Sequence, residues 1–147
     1  MATITIKNYE KLQSKLAKLS DVDITSVVRN ATVFVHGQAK TLVPVDTGQL
    51  RTSIHMEIKS IGRETVQGRV YTNNDHASFV EFGTGRRGDG SYPYQPKDIE
   101  LAYKQDWPGM VAQPYLMSAL KGSEKYVEHL INKGLQRKID SIVGGGK

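Results

Sequence analysis

The sequence predicts an α+β fold: a small antiparallel β-sheet packed against two or three helices, with a long Gly/Pro/Tyr/Arg-rich loop. Three observations favour this class: helical periodicity towards both ends, alternating polarity in the middle, and an aperiodic glycine-rich stretch after it. With 147 residues, of which 38% are hydrophobic and 24% charged, the chain predicts one domain over residues 1–147.

The first part of the chain predicts an arm and two helices. Residues 1–7 alternate Thr and Ile, as a short strand or an ordered arm would. The next segment predicts a helix whose apolar face consists of Leu12, Leu16 and Leu19. Three lysines repeat that spacing and give the helix a basic edge: Lys11, Lys15 and Lys18.

A second helix is expected to start at a cap formed by Asp21 or Asp23. It should end at Val43, because Pro44 disfavours helical geometry in the residue before it. Its apolar positions predict a buried face made of Ile24, Val27, Val28, Ala31, Val35 and Leu42.

The middle of the chain predicts a β-hairpin. Residues 53–61 and 64–72 each alternate apolar and polar side chains, so each predicts a strand with one wet face. Gly62 and Arg63 stand between them, where a hairpin turn belongs.

A short apolar segment, residues 77–82, is expected to stop at Gly83, and residues 83–113 have no sustained period. We expect the latter to be an extended interaction loop that projects from the sheet and orders against a partner; the alternative is that it folds back over its own core. Tyr, Trp and Arg anchor interfaces. The predicted interface residues are Arg86, Arg87, Tyr92, Tyr94, Trp107 and Tyr115.

The last element predicts a helix over residues 114–143, broken at Gly122–Ser123. Gly134 would permit a close approach of this helix to the sheet. Residues 144–147 are expected to form a frayed, flexible tail.

Composition excludes several classes of chemistry. The chain has no cysteine, which excludes disulfides, thiol nucleophiles and cysteine-based metal sites, and its four histidines lack the spacing of a helical metal motif. No catalytic set, cofactor motif, secretory signal or membrane span is recognisable. We therefore expect no enzyme, no cofactor, no metal and no membrane partner.

Two short motifs are the most specific features. In VPVDTGQLRTSI, residues 43–54, one helix stops and another turn starts, with Asp46 as the cap and Gln49 completing a capping box. The residues of this motif are Pro44, Asp46, Thr47, Gly48, Gln49, Leu50, Arg51 and Ser53.

The second motif, FVEFGTG, places one acid among apolar residues. Glu81 would be partly desolvated and needs a partner, for which Arg51 is the candidate as a bidentate clamp. A general acid/base role is the weaker alternative, because no second catalytic residue lies nearby in the sequence. The motif residues are Phe79, Glu81, Phe82 and Gly83, the last suited to a left-handed helix cap.

These two motifs, followed by AQPYLMSAL at residues 112–120, resemble a family of tailed-bacteriophage tail-component and neck proteins. The resemblance covers residues 24–120. The chain departs from the family pattern at His76, a typical tyrosine position, and at Met117 and Ser118, which replace an arginine and a proline.

The resemblance implies a non-enzymatic virion protein of the neck or proximal tail. It would join the head-closure complex to the tail as part of a ring of its own copies, often hexameric, through which DNA passes. The implied partners are head-closure or connector proteins and tail-terminator or tail-tube proteins. Assembly would take place in the cytoplasm of the bacterial host.

Two other interpretations stay open at this stage. Within the same class, the chain could be a tail terminator or tail-completion protein that caps the tail tube. Outside it, a nucleic-acid-binding module is the main competitor, based on the lysine edge of the first helix and on Arg86 and Arg87. The net charge of +5 permits such binding without arguing for specific recognition.

Overall fold

The computed structural model describes residues 9–46, 48–62, 65–95 and 98–144. The elements in chain order are α1 (Tyr9–Ser20), α2 (Thr25–Leu42), α3 (Gln49–Thr52), β1 (Ile54–Ile61), β2 (Thr65–Thr72), α4 (Ala77–Phe82), α5 (Gly85–Gly88) and α6 (Leu116–Gly144). A two-stranded antiparallel sheet beside helices confirms the predicted α+β class. The predicted arm at residues 1–7 and the tail after Gly144 lie outside the described residues.

The hairpin has the predicted alternation. β1 and β2 pair in register from Ile54 opposite Thr72 to Ile61 opposite Thr65. Gly62 has a φ of 68°, the left-handed geometry that a tight turn needs. Ile54 is buried while the polar positions between the apolar ones are exposed, so one face of the sheet is wet.

Asp23, one of the two predicted caps, lies just before helix α2 and binds its first residue. The Asp23 carboxylate accepts a hydrogen bond of 2.8 Å from the Thr25 backbone N–H. Hydrogen bonds from the side chain and backbone of Thr25 lower the pKa of Asp23 below its ordinary value. Of the two candidate caps, Asp23 is therefore the one that satisfies an orphan donor of the first turn.

The end of α2 is also as predicted, but its last apolar side chain is not where we expected it. The helix ends at Leu42, and the Val43 N–H bonds to the Ala39 carbonyl at 3.0 Å. Leu42 is 47% exposed, whereas Val43 is buried. The chain turns extended before Pro44, which directs Val43 into the core in place of Leu42.

α2 crosses the inner face of the sheet at very close range. A Cβ atom on Gly68 of β2 would overlap the Thr32 side chain, so only glycine allows this approach. The buried face of α2 consists of Val27, Ala31, Thr32, Val35 and Ala39.

α6 runs for 29 residues without the predicted break at Gly122–Ser123. Ser123 is buried, and packing of this face against α2 outweighs the low helix propensity of the pair. Gly134 permits a close approach to α2 rather than to the sheet, since a Cβ there would lie 2.8 Å from Val27 Cγ1.

The core lies where α2, the start of β1 and the start of α6 meet. Its buried members are Val35, Ala39, Val43, Ile54, Tyr115 and Ala119. Leu50 of α3 and Val80 of α4 pack against it from the rim. Both sequence motifs therefore border the same core.

α1 lies beside the C-terminal end of α6. Lys15 donates a hydrogen bond of 3.0 Å from Nζ to the Val143 carbonyl. Ser14 and Ala17 face Lys138 and Ser141 across a shared cleft. The predicted apolar face points elsewhere: Leu12 is 54% exposed and Leu16 is 57% exposed.

Candidate functional site

The carboxylate of Glu81 caps the N-terminus of α6. Oε2 accepts hydrogen bonds from the Tyr115 N–H at 2.8 Å and the Leu116 N–H at 2.9 Å. Oε1 accepts a third from the Met117 N–H at 3.0 Å. Glu81 is 5% exposed, so these charge-assisted bonds satisfy both the buried acid and three orphan helix donors.

This geometry corrects the predicted Arg51–Glu81 pair. Arg51 is exposed on α3, and the Glu81 oxygens are bound to backbone N–H groups of α6. The sequence did contain the signal, because α6 starts after Gln113 and Pro114 and has no Ser, Thr, Asp or Asn of its own at the cap. Taken together, a helix start without a cap of its own and an acid without a partner could have predicted that Glu81 caps α6.

The first motif connects α2 to the sheet, but without the predicted capping box. The N-cap of α3 is Gly48, with a φ of 80° and no side-chain cap hydrogen bond, so Asp46 does not cap this turn. Thr47 lies outside the described residues. Ser53 Oγ bonds to the Leu50 carbonyl and to Thr72 Oγ1, each at 2.7 Å, which ties together the two ends of the hairpin.

The tyrosines after α5 pack back towards α4 and α6. The Tyr92 ring lies 5.0 Å from Phe82 and 5.5 Å from Tyr94, both edge to face. Tyr94 Oη lies 3.1 Å from Ser118 Oγ, and Tyr103 donates from its hydroxyl to the Phe82 carbonyl at 3.0 Å. Burial, followed by the charge of Glu81, raises the pKa of Tyr92 to about 12.

Backbone contacts close the base of the segment over residues 83–113. Thr84 and Met110 form an antiparallel bridge, with N–H to carbonyl distances of 2.8 and 3.0 Å. The Ala112 N–H donates to Ser91 Oγ at 2.9 Å. The prediction of a projecting loop is therefore wrong for the residues in these contacts. The structure has the alternative, in which the segment folds back over its own core.

Gly83 allows these backbone segments to come together. Its φ of 78° is positive, as expected at the end of α4, but its ψ of 177° lies outside the left-handed helical region that we predicted for this cap. A Cβ at this position would lie 2.6 Å from the Ala112 nitrogen and 2.8 Å from the Met110 carbonyl oxygen. Only glycine permits that approach of two backbone segments.

The predicted interface residues divide into three groups. Arg86, Arg87 and Trp107 are exposed, and Tyr92 and Tyr94 are half-buried. Tyr115 is completely buried in the core, which corrects its assignment as a surface anchor. Its hydroxyl has no hydrogen-bond partner among the described residues, and burial raises its pKa to about 12.

Large apolar side chains stay exposed over much of the chain. The exposed set consists of Leu12, Leu16, Val33, Leu42, Val45, Ile61, Phe79, Ile99, Trp107, Val111, Leu120, Tyr126, Ile139 and Val143. Single exposed apolar residues are ordinary, but sets of them on one helix face mark interaction surfaces.

A groove of about 660 Å³ lies between α2, β2, α4 and α6 and is mostly apolar. Glu81 lies on it, with both carboxylate oxygens bound to the α6 N-terminus. Within the described ranges, no cluster of three metal-ligating side chains occurs. No helix in the same ranges combines the length and apolar character that a membrane crossing requires.

Comparison with known proteins identifies the family. Residues 8–83 match the family described as "Bacteriophage HK97-gp10, putative tail-component". No curated protein and no solved structure gave a significant match. The matched region, just over half of the chain, runs from the start of α1 to Gly83 and contains the first motif and the second motif as far as Gly83. The chain therefore belongs to the HK97 gp10-like family of bacteriophage tail components.

Proposed function

We propose that this protein is a ring-forming subunit of the virion neck that joins the head-closure complex to the tail. Family membership supports the coarser statement, a structural and tail-related role in the virion. The neck position, the ring and its hexameric symmetry are our proposal, and so is assembly in the host cytoplasm. In this role the chain works by binding other virion proteins and not by catalysis.

The observation that carries the proposal is the amount of apolar surface left exposed. Large apolar side chains are exposed on several of the described elements, among them Leu12 and Leu16 of α1 and Leu120, Tyr126, Ile139 and Val143 of α6. A subunit that is covered on two sides by neighbours in a ring has such a surface before assembly.

The proposed partners follow from this position. Copies of the chain contact one another around the ring, one side of the ring meets head-closure or connector proteins, and the other meets tail-terminator or tail-tube proteins. The exposed residues Arg86, Arg87 and Trp107 are candidates for contacts between rings, since Arg and Trp anchor interfaces. DNA would pass through the ring without sequence-specific contact.

Deletion of the gene in its phage tests this role. We expect DNA-filled heads and complete tails to accumulate separately in lysates, because the joining ring is missing, and plasmid-borne protein should restore whole virions. Negative-stain electron microscopy and plaque counts measure the outcome. Intact infectious virions without the protein would overturn the neck role, and tails of uncontrolled length would assign the protein as the tail terminator.

The same deletion separates the nucleic-acid alternative. A protein whose function is DNA binding must neutralise phosphates, so its binding should fall steeply with salt and its loss should affect packaged DNA rather than joining. Heads empty of DNA in the deletion lysate would favour that alternative.

A further inference from the structure

We propose that the leucine stripe of α1, formed by Leu12, Leu16 and Leu19, docks in a groove along the first half of α6 in a second copy of this chain. The receiving face is an apolar strip of Leu120, Val127 and Ile131. This inference rests on the ring proposed above and names the contact between its neighbouring subunits.

The leucine stripe is apolar and regular, and its first two members are exposed. Leu12, Leu16 and Leu19 follow one another at i, i+4 and i+7, which places them on one side of α1. Ser14 and Ala17, on the opposite side, are the residues that face α6. More than half of Leu12 and of Leu16 is exposed and Leu19 is half-buried, so α1 leaves most of its apolar side to solvent.

The receiving face is a groove along the first half of α6. It has a volume of about 460 Å³, and its apolar floor is made by Leu120, Val127 and Ile131. Leu120 is 52% exposed. Leu120 and Val127 also line the larger apolar groove beside the sheet, so the two depressions are continuous.

The borders of the two surfaces have opposite charge. The leucine stripe is edged by Lys11, Lys15 and Lys18, while Glu124 and Glu128 line the groove. Lys15 already binds the Val143 carbonyl and Lys18 lines the cleft towards the C-terminal end of α6, so Lys11 is the lysine left to face the two glutamates, with Lys121 beside them. This complementarity favours a second copy as the occupant over an apolar partner of unspecified charge.

The two surfaces cannot meet within one chain. The middle of the groove is separated from Val143, where α1 is attached, by roughly 25 Å of helix at about 1.5 Å per residue. Asp21 and Asp23 lie near Lys138 and Lys15 lies near Val143, so the N-terminal part of α1 extends past the C-terminal end of α6, away from the groove. A contact between two different surfaces of identical chains is heterologous and closes into a ring when the rotation permits.

Engineered disulfides test the contact, because the chain has no cysteine of its own. Leu16→Cys and Leu120→Cys are combined in one chain. The variant is oxidised in two preparations: purified protein at high concentration, and phage particles in which every copy of this protein is the variant. We expect a ladder of cross-linked species on non-reducing gels, ending at one closed oligomer, since each chain carries both halves of the contact.

Two controls are matched to this pair. Leu16→Cys alone should lose the ladder, and so should Leu16→Cys with Val111→Cys, since Val111 is as exposed as Leu120 but lies outside the groove. Circular dichroism verifies that each exposed-site variant folds.

The outcomes of this experiment test the contact independently of the neck role. No ladder in either preparation, or a ladder equally strong in the Val111 control, would overturn the contact even if deletion still prevents head–tail joining. A mixed disulfide with another virion protein would assign the stripe to that protein instead. A ladder together with intact virions after deletion would support the contact and overturn only the neck role.

Discussion

Replacing Glu81 with alanine is expected to lower the free energy of unfolding by about 3–4 kcal/mol. The change removes three hydrogen bonds of 2.8–3.0 Å and leaves the N–H groups of Tyr115, Leu116 and Met117 without an acceptor in a buried site. It also removes a negative charge from the positive end of the α6 dipole. Urea unfolding followed by far-UV circular dichroism measures the loss.

Three further variants make this measurement specific. Glu81→Gln keeps one acceptor oxygen and should lose about half as much. Glu57→Ala is the matched control, because Glu57 is an exposed acid whose ion pair with Arg69 is also exposed, and it should change stability by less than about 1 kcal/mol. Arg51→Ala should be equally mild. A large loss for Arg51→Ala, with a smaller one for Glu81→Ala, would contradict the cap.

Replacing Gly83 with alanine is expected to destabilise the protein by at least about 3 kcal/mol. The backbone at Gly83 has φ 78° and ψ 177°, a region essentially restricted to glycine. In addition, the new Cβ would press on the backbone of Met110 and Ala112, which cannot give way as a flexible side chain could. The expected result is an early unfolding transition in the same denaturation assay.

Gly90→Ala is the matched control for this substitution. Gly90 also has a positive φ, 69°, but nothing lies within 4 Å of the place where its Cβ would be. It should lose only about 1–2 kcal/mol, the ordinary penalty of left-handed geometry for alanine. Equal losses at the two glycines would mean that the close approach at Gly83 contributes nothing.

Much of the fold was predictable because it depends on local pattern. The alternation over residues 54–72 predicted the hairpin, and Pro44 predicted the end of α2. The long C-terminal helix followed from its apolar period, although packing overrode the expected break at Gly122–Ser123. That residues 1–147 form one domain stays a prediction.

The errors have a common physical origin in long-range contacts. Glu81 is 34 residues from Tyr115, whose N–H it binds, and no periodicity reveals that distance. The sequence correctly predicted that the leucines of α1 share one face of a helix. It did not reveal that this face is largely exposed, because the exposure depends on how α1 lies against the end of α6. Tyr115 looked like a surface aromatic because the sequence does not reveal that it packs among buried residues of α2, β1 and α6.

A cryo-electron microscopy map of the neck in the intact phage tests the central claim most directly. We predict a ring between the head-closure complex and the tail, in which each subunit fits the β-hairpin, α2 and the long α6 helix of this chain, with α1 of one subunit against α6 of the next. A map in which this fold is absent from the junction, or lies at the distal end of the tail, would contradict the proposed function.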